Sequence, residues 1–158
     1  MPRSHEYTSH LRWTGASQGP TRSYTDYSRD YVVEITGKAP LHGSADPLFR
    51  GDASLRNPED LLMASLSGCH LLTYLSLAAR AGLHVVGYED AASGTLMLEG
   101  GGGHFAEVVL RPKVTIAPGH DSALAERLHE AAHRDCFIAA SVNFPVRHEV
   151  VIVVSAQA

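Results

Sequence analysis

The chain has 158 residues, of which 44% are hydrophobic and 19% are charged, and its formal net charge is −4. These proportions are typical of a globular protein that buries a core without disulfides, and they exclude a disordered or collagen-like chain. No Lys/Arg-rich run is present, so we expect no nucleic-acid partner. The N-terminus lacks the apolar core of a secretory signal, and polar residues interrupt the apolar stretch 71–83. We therefore expect a soluble, cytoplasmic protein that does not span a membrane.

The first third of the chain predicts two strands and a long loop. Residues 5–14 and 22–36 carry the aromatic and β-branched residues of strands, with a Gly- and Pro-containing turn between them. Residues 37–56 are rich in Gly, Pro, Asp and Ser and show no periodicity. A long loop of this kind in a compact domain is often functional.

A long helix should follow this loop. Asn57 is a typical N-cap and Pro58 suits the first helical position, while Gly82 provides a stop after about Ala81. The residues between are apolar on nearly every face of the helix. This pattern predicts a central helix that is buried on most sides.

The next part of the chain predicts a hairpin. Residues 83–98 and 104–116 are typical of strands, and four glycines at 100–103 join them. A phosphate-binding loop is excluded here, because neither a Lys-Ser/Thr pair nor a helix follows the glycines.

The last part predicts a second helix over 122–134, which Asp121 caps and whose apolar stripe consists of Leu124, Leu128 and Ala131/Ala132. A final strand covers 146–154. The order of these elements indicates a single α+β domain over residues 1–158, with sheets that cover a long buried helix.

Two cysteines, Cys69 and Cys136, stand within a few residues of His and Arg side chains. A thiol reacts as its thiolate, which a nearby cation favours, so the pair indicates a nucleophile and a resolving partner. The alternative is a small buried core residue at Cys69 and an incidental surface residue at Cys136. A disulfide needs Cα atoms within about 7 Å, and the sequence alone leaves that distance open.

The helix also separates Cys69 from the acidic residue Glu59. Ten residues correspond to about 15 Å along a helix and about 80° around it, so Glu59 cannot organise Cys69 of the same chain. If both serve one site, the carboxylate comes from a second copy through a two-fold contact. The candidate cations are Arg50 and Arg56. Gly68, beside Cys69, indicates close backbone approach, room for a ligand, or helix packing.

A metal centre is the main chemical alternative. Cys69-His70 and His133 with Cys136 would supply two thiolates and two imidazoles. We expect no metal, because adjacent helical residues point about 100° apart and no Cys-x-x-Cys occurs. The ten histidines are scattered, and most are expected at the surface. A serine hydrolase is not indicated either, since no Gly-x-Ser-x-Gly motif is present.

Two segments resemble a known family. From residue 57 the chain has Asn-Pro-Glu-Asp-Leu-Leu and then Ala-Ser-Leu-Ser-Gly-Cys, similar to the Asn-Pro-Glu-(Glu/Gln)-Leu…(Ala/Gly)-Cys signature of the OsmC/Ohr family. These are osmotically inducible and organic hydroperoxide resistance proteins. The segment Cys136–Val146 is similar to the second cysteine segment of an OsmC-like subgroup, and the element order agrees over roughly 5–155.

The resemblance implies an OsmC-like α+β fold, with two antiparallel sheets around long central helices in an intertwined homodimer. Two active sites would lie at the dimer interface. The implied activity is a cofactor-free, thiol-dependent peroxidase that reduces organic peroxides and, less efficiently, hydrogen peroxide.

The resemblance also implies roles for individual residues. Cys69 would be the peroxidatic cysteine, and Cys136 would resolve it to a disulfide. Glu59 would hold the catalytic arginine, which Arg50 matches better than Arg56. An external dithiol, a lipoyl group in the Ohr branch, would reduce the disulfide.

Three departures from the family pattern indicate a divergent OsmC-like branch. Phe137 follows Cys136 where many members have proline, and His70 follows Cys69 where many have an apolar residue. Leu55-Arg56 replaces the usual Gly-rich approach. A non-enzymatic redox-sensing or small-ligand-binding dimer is therefore the second hypothesis, and a metal-binding protein is the third.

Overall fold

The structure is a computed structural model that describes residues 3–156. The two residues at each end of the expected domain 1–158 lie outside the described part. The chain forms two compact units, Met1–Leu62 and Met63–Ala158.

The first unit contains an antiparallel sheet in the order β1-β2-β3, which comprises β1 (His10–Trp13), β2 (Tyr31–Glu34) and β3 (Leu41–Gly43). Both predicted strands exist, but they are shorter than expected. A 3-10 helix, Gly15–Gln18, occupies the predicted turn. The predicted loop contains β3 and a second 3-10 helix, Pro47–Phe49, and is thus more ordered than its composition indicates.

Helix α1, Pro58–Arg80, confirms the predicted long helix. Asn57 Oδ1 accepts the backbone N–H of Asp60 (2.8 Å), and Asp60 Oδ2 accepts that of Asn57 (3.2 Å), which is a reciprocal cap. Gly82 ends the helix with a φ of 71°. The prediction of burial on most sides is wrong for the single chain, because full burial is confined to one stripe, namely Leu66, His70, Tyr74 and Ala78.

The second unit holds two further sheets. One has the order β4-β7-β9 and the other β5-β6-β8. Their strands are β4 (Val85–Asp90), β5 (Ser93–Glu99), β6 (Gly102–Leu110), β7 (Pro112–Ile116), β8 (Val146–His148) and β9 (Val151–Val154).

The α+β class is confirmed, but the expected pair of antiparallel sheets is corrected. The described residues form three sheets, and β8 and β9 pair in parallel with β6 and β7. Parallel pairing follows from the chain path, since the second helix intervenes before β8 and lets the chain return in the same direction.

Each long predicted strand is broken into two. The corner lies where Asp90 Oδ1 accepts the backbone N–H of Arg111 (2.7 Å), next to the breaks between β4 and β5 and between β6 and β7. The turn between β5 and β6 is confirmed as a hairpin. Gly100 and Gly101 have φ values of 57° and 85°, as a two-residue type I′ turn requires.

Helix α2, Ser122–Asp135, is also confirmed, and Asp121 caps it by accepting the backbone N–H of Ala123 at 2.8 Å. Its fully buried residues are Ala125, His129 and Ala132, so the buried face overlaps the predicted stripe at Ala132. Ala125 and Ala132 join a core with Tyr74 and Ala78 of α1 and Val114 and Ile116 of β7, and Leu128 of the predicted stripe packs half-buried against it.

Helix α1 is long and apolar enough to cross a bilayer by length and composition alone. The core helix of a soluble protein meets the same criterion. One such helix is weak evidence for a membrane span, so the finding does not overturn the expectation of a chain that spans no membrane.

Candidate functional site

The two cysteines lie together in the second unit. Cys69 is on α1 and partly exposed, whereas Cys136 caps the C-terminal end of α2 and is 1% exposed. Both are free thiols, and their side chains interact with each other. The alternative of an incidental surface residue at Cys136 is therefore wrong.

The surroundings of Cys69 favour its thiolate. Burial raises the pKa of this thiol, but hydrogen bonds from the Cys136 thiol and from the backbone amides of Ile138 and Phe137 outweigh burial and bring the pKa below its usual value. The Thr73 hydroxyl also lies beside the sulfur. Since that hydroxyl donates to the Cys69 carbonyl oxygen (2.9 Å), we assign the lowering mainly to the other donors.

The pKa of the Cys136 thiol is shifted in the opposite direction. Burial, and then the hydrogen bond to Cys69, raise the pKa of the Cys136 thiol to about 11, although the Ala139 N–H donates to its sulfur at 3.5 Å. At neutral pH Cys136 thus keeps its proton and Cys69 is the more acidic thiol. The arrangement pairs an accessible nucleophile with a protonated neighbour.

Cys69 opens onto a groove with a volume of about 670 Å³. The apolar part of the groove is lined by Ala64, Gly68, Leu72, Leu77 and Phe137. A Cβ added to Gly68 would meet no heavy atom within 4 Å in the described chain. Of the three interpretations of Gly68, close backbone approach within the described chain is excluded. Room for a ligand beside Cys69 and packing against a helix of a second chain both stay open.

Arg50 lies in the first unit in an unusual backbone conformation. Its φ of 68° makes it the single non-glycine residue with positive φ among residues 3–156, and it ends the 3-10 helix Pro47–Phe49. Gly51 is required next to it, since a Cβ there would lie 1.6 Å from the Ala45 carbonyl oxygen. Such strain in a non-glycine residue is concentrated at functional sites.

Asp46 connects the Arg50 loop to the cap of α1. Its Oδ1 accepts the Leu48 N–H (2.7 Å), and its Oδ2 accepts the Asn57 side-chain amide (3.3 Å). Asp46 lies in the predicted loop and is not among the predicted site residues. The signal was present in Asp46-Pro47, since an N-cap residue followed by proline marks a helix start.

Glu59 faces Tyr31 of β2. Burial, and then the negative charge of Glu59, raise the pKa of the Tyr31 phenol. Within residues 3–156, no ion pair involves Arg50, Arg56 or Glu59. The single chain therefore brings Cys69 and Cys136 together, but it forms no Arg50–Glu59 pair.

A family model described as OsmC-like protein matches residues 51–151. The chain belongs to the OsmC family. A solved OsmC-like protein of unknown function from Vibrio cholerae O1 biovar eltor is 30% identical, with a TM-score of 0.85 over 94% of this chain and 100% of that one. This agreement confirms the predicted OsmC-like fold.

Two more distant relatives extend the comparison. An organic hydroperoxide resistance protein from Elizabethkingia anophelis shares the fold, with 18% identity and a TM-score of 0.69 over 98% of this chain and 100% of that one. The uncharacterized protein YmaD of Bacillus subtilis (strain 168) is 25% identical over 90 residues, which are 55% of this chain. The match spans 60% of the length of this curated relative.

Two of the ten histidines of this OsmC-family chain, His70 and His129, are buried, and the other eight are exposed or half-buried. His70 Nε2 lies 2.9 Å from His129 Nδ1. Burial and the neighbouring histidines lower the pKa of His70 to about 4 and that of His129 to about 3. Among the described residues, no group of three or more His, Cys, Asp or Glu side chains is arranged to hold a metal ion.

Proposed function

We propose that this protein is a homodimeric, cofactor-free thiol peroxidase that reduces organic hydroperoxides and, less efficiently, hydrogen peroxide. It would act as a single OsmC-like domain in the cytoplasm. The observation that carries the proposal is the cysteine pair, in which the partly exposed Cys69 is the more acidic thiol and the buried Cys136 keeps its proton.

In the first step, the Cys69 thiolate attacks the terminal oxygen of the hydroperoxide. The O–O bond breaks, the leaving alkoxide takes a proton to become an alcohol, and Cys69 becomes a sulfenic acid. The groove beside Cys69 would hold the organic part of the substrate, since its lining includes Leu72, Leu77 and Phe137.

In the second step, the Cys136 sulfur attacks the sulfenic sulfur of Cys69. A disulfide forms, and the Cys69 hydroxyl leaves with the Cys136 proton as water. The two thiol side chains already interact, so the 67 positions of chain that separate them in sequence are brought together before the reaction begins. An external dithiol, such as a lipoyl group, then reduces the disulfide by two exchange steps.

Arg50 and Glu59 would complete the site from the second copy of the chain. Helix α1 carries both Glu59 and Cys69, so ten residues of helix, about 15 Å, separate them within one copy. Because Asp46 ties the Arg50 loop to the cap two residues before Glu59, we expect one copy to supply both side chains. The guanidinium would stabilise the thiolate and polarise the peroxide, with Glu59 fixing its orientation.

The exposed side of α1 supports a dimer. Full burial is confined to one stripe of this apolar helix, and Leu72 on another side is 69% exposed. An apolar helix face of this kind is stable in water when a second apolar surface covers it. A second copy of α1 would provide that cover and bring the two sites to the interface.

The proposal can be tested by mixing the reduced protein with cumene hydroperoxide and, separately, with hydrogen peroxide. Free thiols and intact mass are then measured. A peroxidase loses both thiols with a mass decrease of about 2 Da, because two hydrogens leave as the disulfide forms. Unchanged thiols would contradict the proposal, and a bound metal in native mass spectra would favour the metal-binding hypothesis.

The second candidate is a non-enzymatic redox-sensing or ligand-binding dimer. It is favoured by the exposed apolar lining of the groove, in which Phe137 is 81% exposed. Turnover separates the two functions. With a lipoyl dithiol in excess, a peroxidase consumes many equivalents of peroxide, whereas a sensor oxidises once and stops.

A further inference from the structure

Polar contacts join α1 and α2 through the core of the second unit. The Tyr74 hydroxyl donates to the Ala125 carbonyl oxygen (3.1 Å), and the His70 and His129 rings share a hydrogen bond of 2.9 Å. From 70 to 74 is one turn of α1, and from 129 to 125 is one turn of α2 in the opposite chain direction. The two bonds therefore link the antiparallel helices one turn apart. We call the His70–His129 hydrogen bond the histidine rung.

The histidine rung is the one nearer the cysteine pair on both helices. His70 directly follows Cys69 on α1. On α2, His129 precedes Cys136 by seven residues, which is two turns and nearly the same face. A shift or rotation of α2 against α1 would thus change the His70–His129 distance and the distance between the two sulfurs together.

Joining two helices through a buried histidine pair costs free energy, because polar atoms are buried with it. His70 and His129 are 1% and 0% exposed, and within the described residues His129 Nε2 and the Tyr88 hydroxyl are buried without a hydrogen-bond partner. Apolar side chains would fill the same space without leaving polar atoms unpaired. A buried hydrogen bond, however, is directional and allows one relative position of the helices, whereas apolar packing tolerates several.

Burial, and then the neighbouring histidines, keep both rings of the histidine rung neutral by lowering their pKa values, against the opposing charge of Asp90 near His70. The His148 ring lies 5.7 Å from that of His70 and 6.2 Å from that of His129, and the His133 ring lies 5.6 Å from that of His148. His148 in turn contacts Glu130 at 3.2 Å. With both rings uncharged, one nitrogen donates and the other accepts, as the hydrogen bond requires.

We propose that the His70–His129 hydrogen bond is a positioning device that holds the Cys136 sulfur at reaction distance from Cys69. The chemical use of this hydrogen bond rests on the proposed function. By holding the two sulfurs together, the bond speeds the step in which Cys69-SOH and Cys136-SH give the disulfide and water. Neither histidine contacts the reacting atoms, so both are positioning residues.

A redox titration against glutathione tests the geometry without any peroxide. His70→Phe fills the site but removes the hydrogen bond, and we expect the equilibrium constant for the Cys69–Cys136 disulfide to fall at least about tenfold, a change of about 30 mV to a less negative potential. His70→Gln places its amide near the position of Nε2 and should stay within roughly threefold of the wild type. Ile116→Val, a core substitution on β7, is the control for lost stability and should leave the potential unchanged.

If His70→Phe fails to fold, His70→Asn takes its place, since its shorter amide stops short of His129. Either variant with a wild-type potential overturns the proposal, and so does a His70→Gln potential that changes as much as that of His70→Phe.

Kinetics with cumene hydroperoxide supply the second readout. His70→Phe should form the Cys69 sulfenic acid at the wild-type rate but close the disulfide at least about tenfold more slowly, so that dimedone traps the intermediate. Closure at the wild-type rate would overturn the proposal. If peroxide leaves the wild-type thiols unchanged, the proposed function fails, and the glutathione titration still decides the positioning role.

Discussion

Burial and hydrogen bonding shift the pKa of the Cys69 thiol in opposite directions. Burial alone would favour the neutral thiol, yet the hydrogen bonds that converge on the sulfur from Cys136 and two backbone amides reverse that preference. The N-terminus of α1 is too far away to contribute, because the helix dipole acts mainly within the first turn. The acidity of Cys69 therefore depends on Cys136, even before any oxidation takes place.

Substitution of Cys136 tests this dependence. Cys136→Ala removes a donor to the sulfur, so the pKa of Cys69 should rise and alkylation by iodoacetamide at pH 7 should slow by roughly three- to tenfold. Cys136→Ser keeps an O–H donor and is the matched control, with Cys69 alkylated at a rate close to that of the wild type. Equal rates for the two variants would show that Cys136 does not activate Cys69.

The arginine assignment can be tested by a second pair of substitutions. Arg50→Ala should raise the pKa of Cys69 in the dimer and slow its oxidation by cumene hydroperoxide by roughly a hundredfold, since one charged donor is lost at the peroxide. Arg56→Ala should change the rate by less than about threefold. Stopped-flow oxidation over a range of pH measures both effects, and a larger loss in Arg56→Ala would transfer the role to Arg56.

At the scale of elements, local signals predicted the helices well and the strands less well. The caps at Asn57 and Asp121 are local chemistry and are visible in the sequence, so both helix starts are confirmed. The break between β6 and β7 depends on Asp90 accepting from Arg111, a contact across 21 residues that no local pattern reveals. Tertiary packing also places His129 on the buried face of α2, although a polar side chain is not expected to be buried there.

The same distinction applies to the candidate site. The sequence predicted Cys69 and Cys136 as a pair through the family resemblance, and the structure brings their sulfurs together. The roles of Arg50 and Glu59 stay predictions, because they depend on a second chain. Asp46 had a local signal in Asp46-Pro47, whereas Gly51 and the histidine rung depend on contacts about which composition and periodicity carry no information.

The buried histidines should make the fold sensitive to acid. Unfolded, each titrates near 6.5, whereas the folded pKa values are about 4 for His70 and about 3 for His129. Below pH 6.5 the unfolded chain binds more protons, so the free energy of unfolding should fall by up to about 1.4 kcal/mol per pH unit for each histidine. Above pH 6.5 this contribution is constant. Of the groups around His70, His148 and His133 oppose its protonation and Asp90 favours it.

Urea unfolding at pH 7 and pH 5, at one protein concentration, measures this slope. His70→Gln removes one of the two titrating groups and should reduce the loss of stability between the two pH values. His104→Gln changes an exposed histidine and serves as the control with a wild-type slope. An unchanged slope in His70→Gln would contradict the assignment.

At the scale of the whole molecule, the exposed side of α1 is the main argument for two chains. The helix meets the length and composition of a membrane span, yet full burial in the single chain is confined to one stripe. A dimer accounts for the apolar surface, for the room beside Gly68, and for a Glu59 that its own Cys69 cannot use.

The dimer predicts an effect of Leu72, which is 69% exposed in the single chain. Leu72→Glu would place a charge in the apolar contact, so the dimer should weaken by at least about a hundredfold in dissociation constant. Tyr7→Glu places the same charge at another large and more exposed side chain (89%) and is the control. Sedimentation equilibrium measures both, and a Leu72→Glu dimer as tight as that of the wild type would exclude this face as the interface.

The most direct test of a site shared between two chains is complementation between inactive variants. Cys69→Ala lacks the nucleophile and Glu59→Gln lacks the orienting carboxylate, so each homodimer should be nearly inactive. In a mixed dimer, the Cys69 of one chain meets the Glu59 of the other, and one of its two sites is intact. Random mixing makes half of the dimers mixed, which predicts recovery of about a quarter of the wild-type peroxidase activity. A mixture no more active than the two separate variants would contradict a site built from two chains.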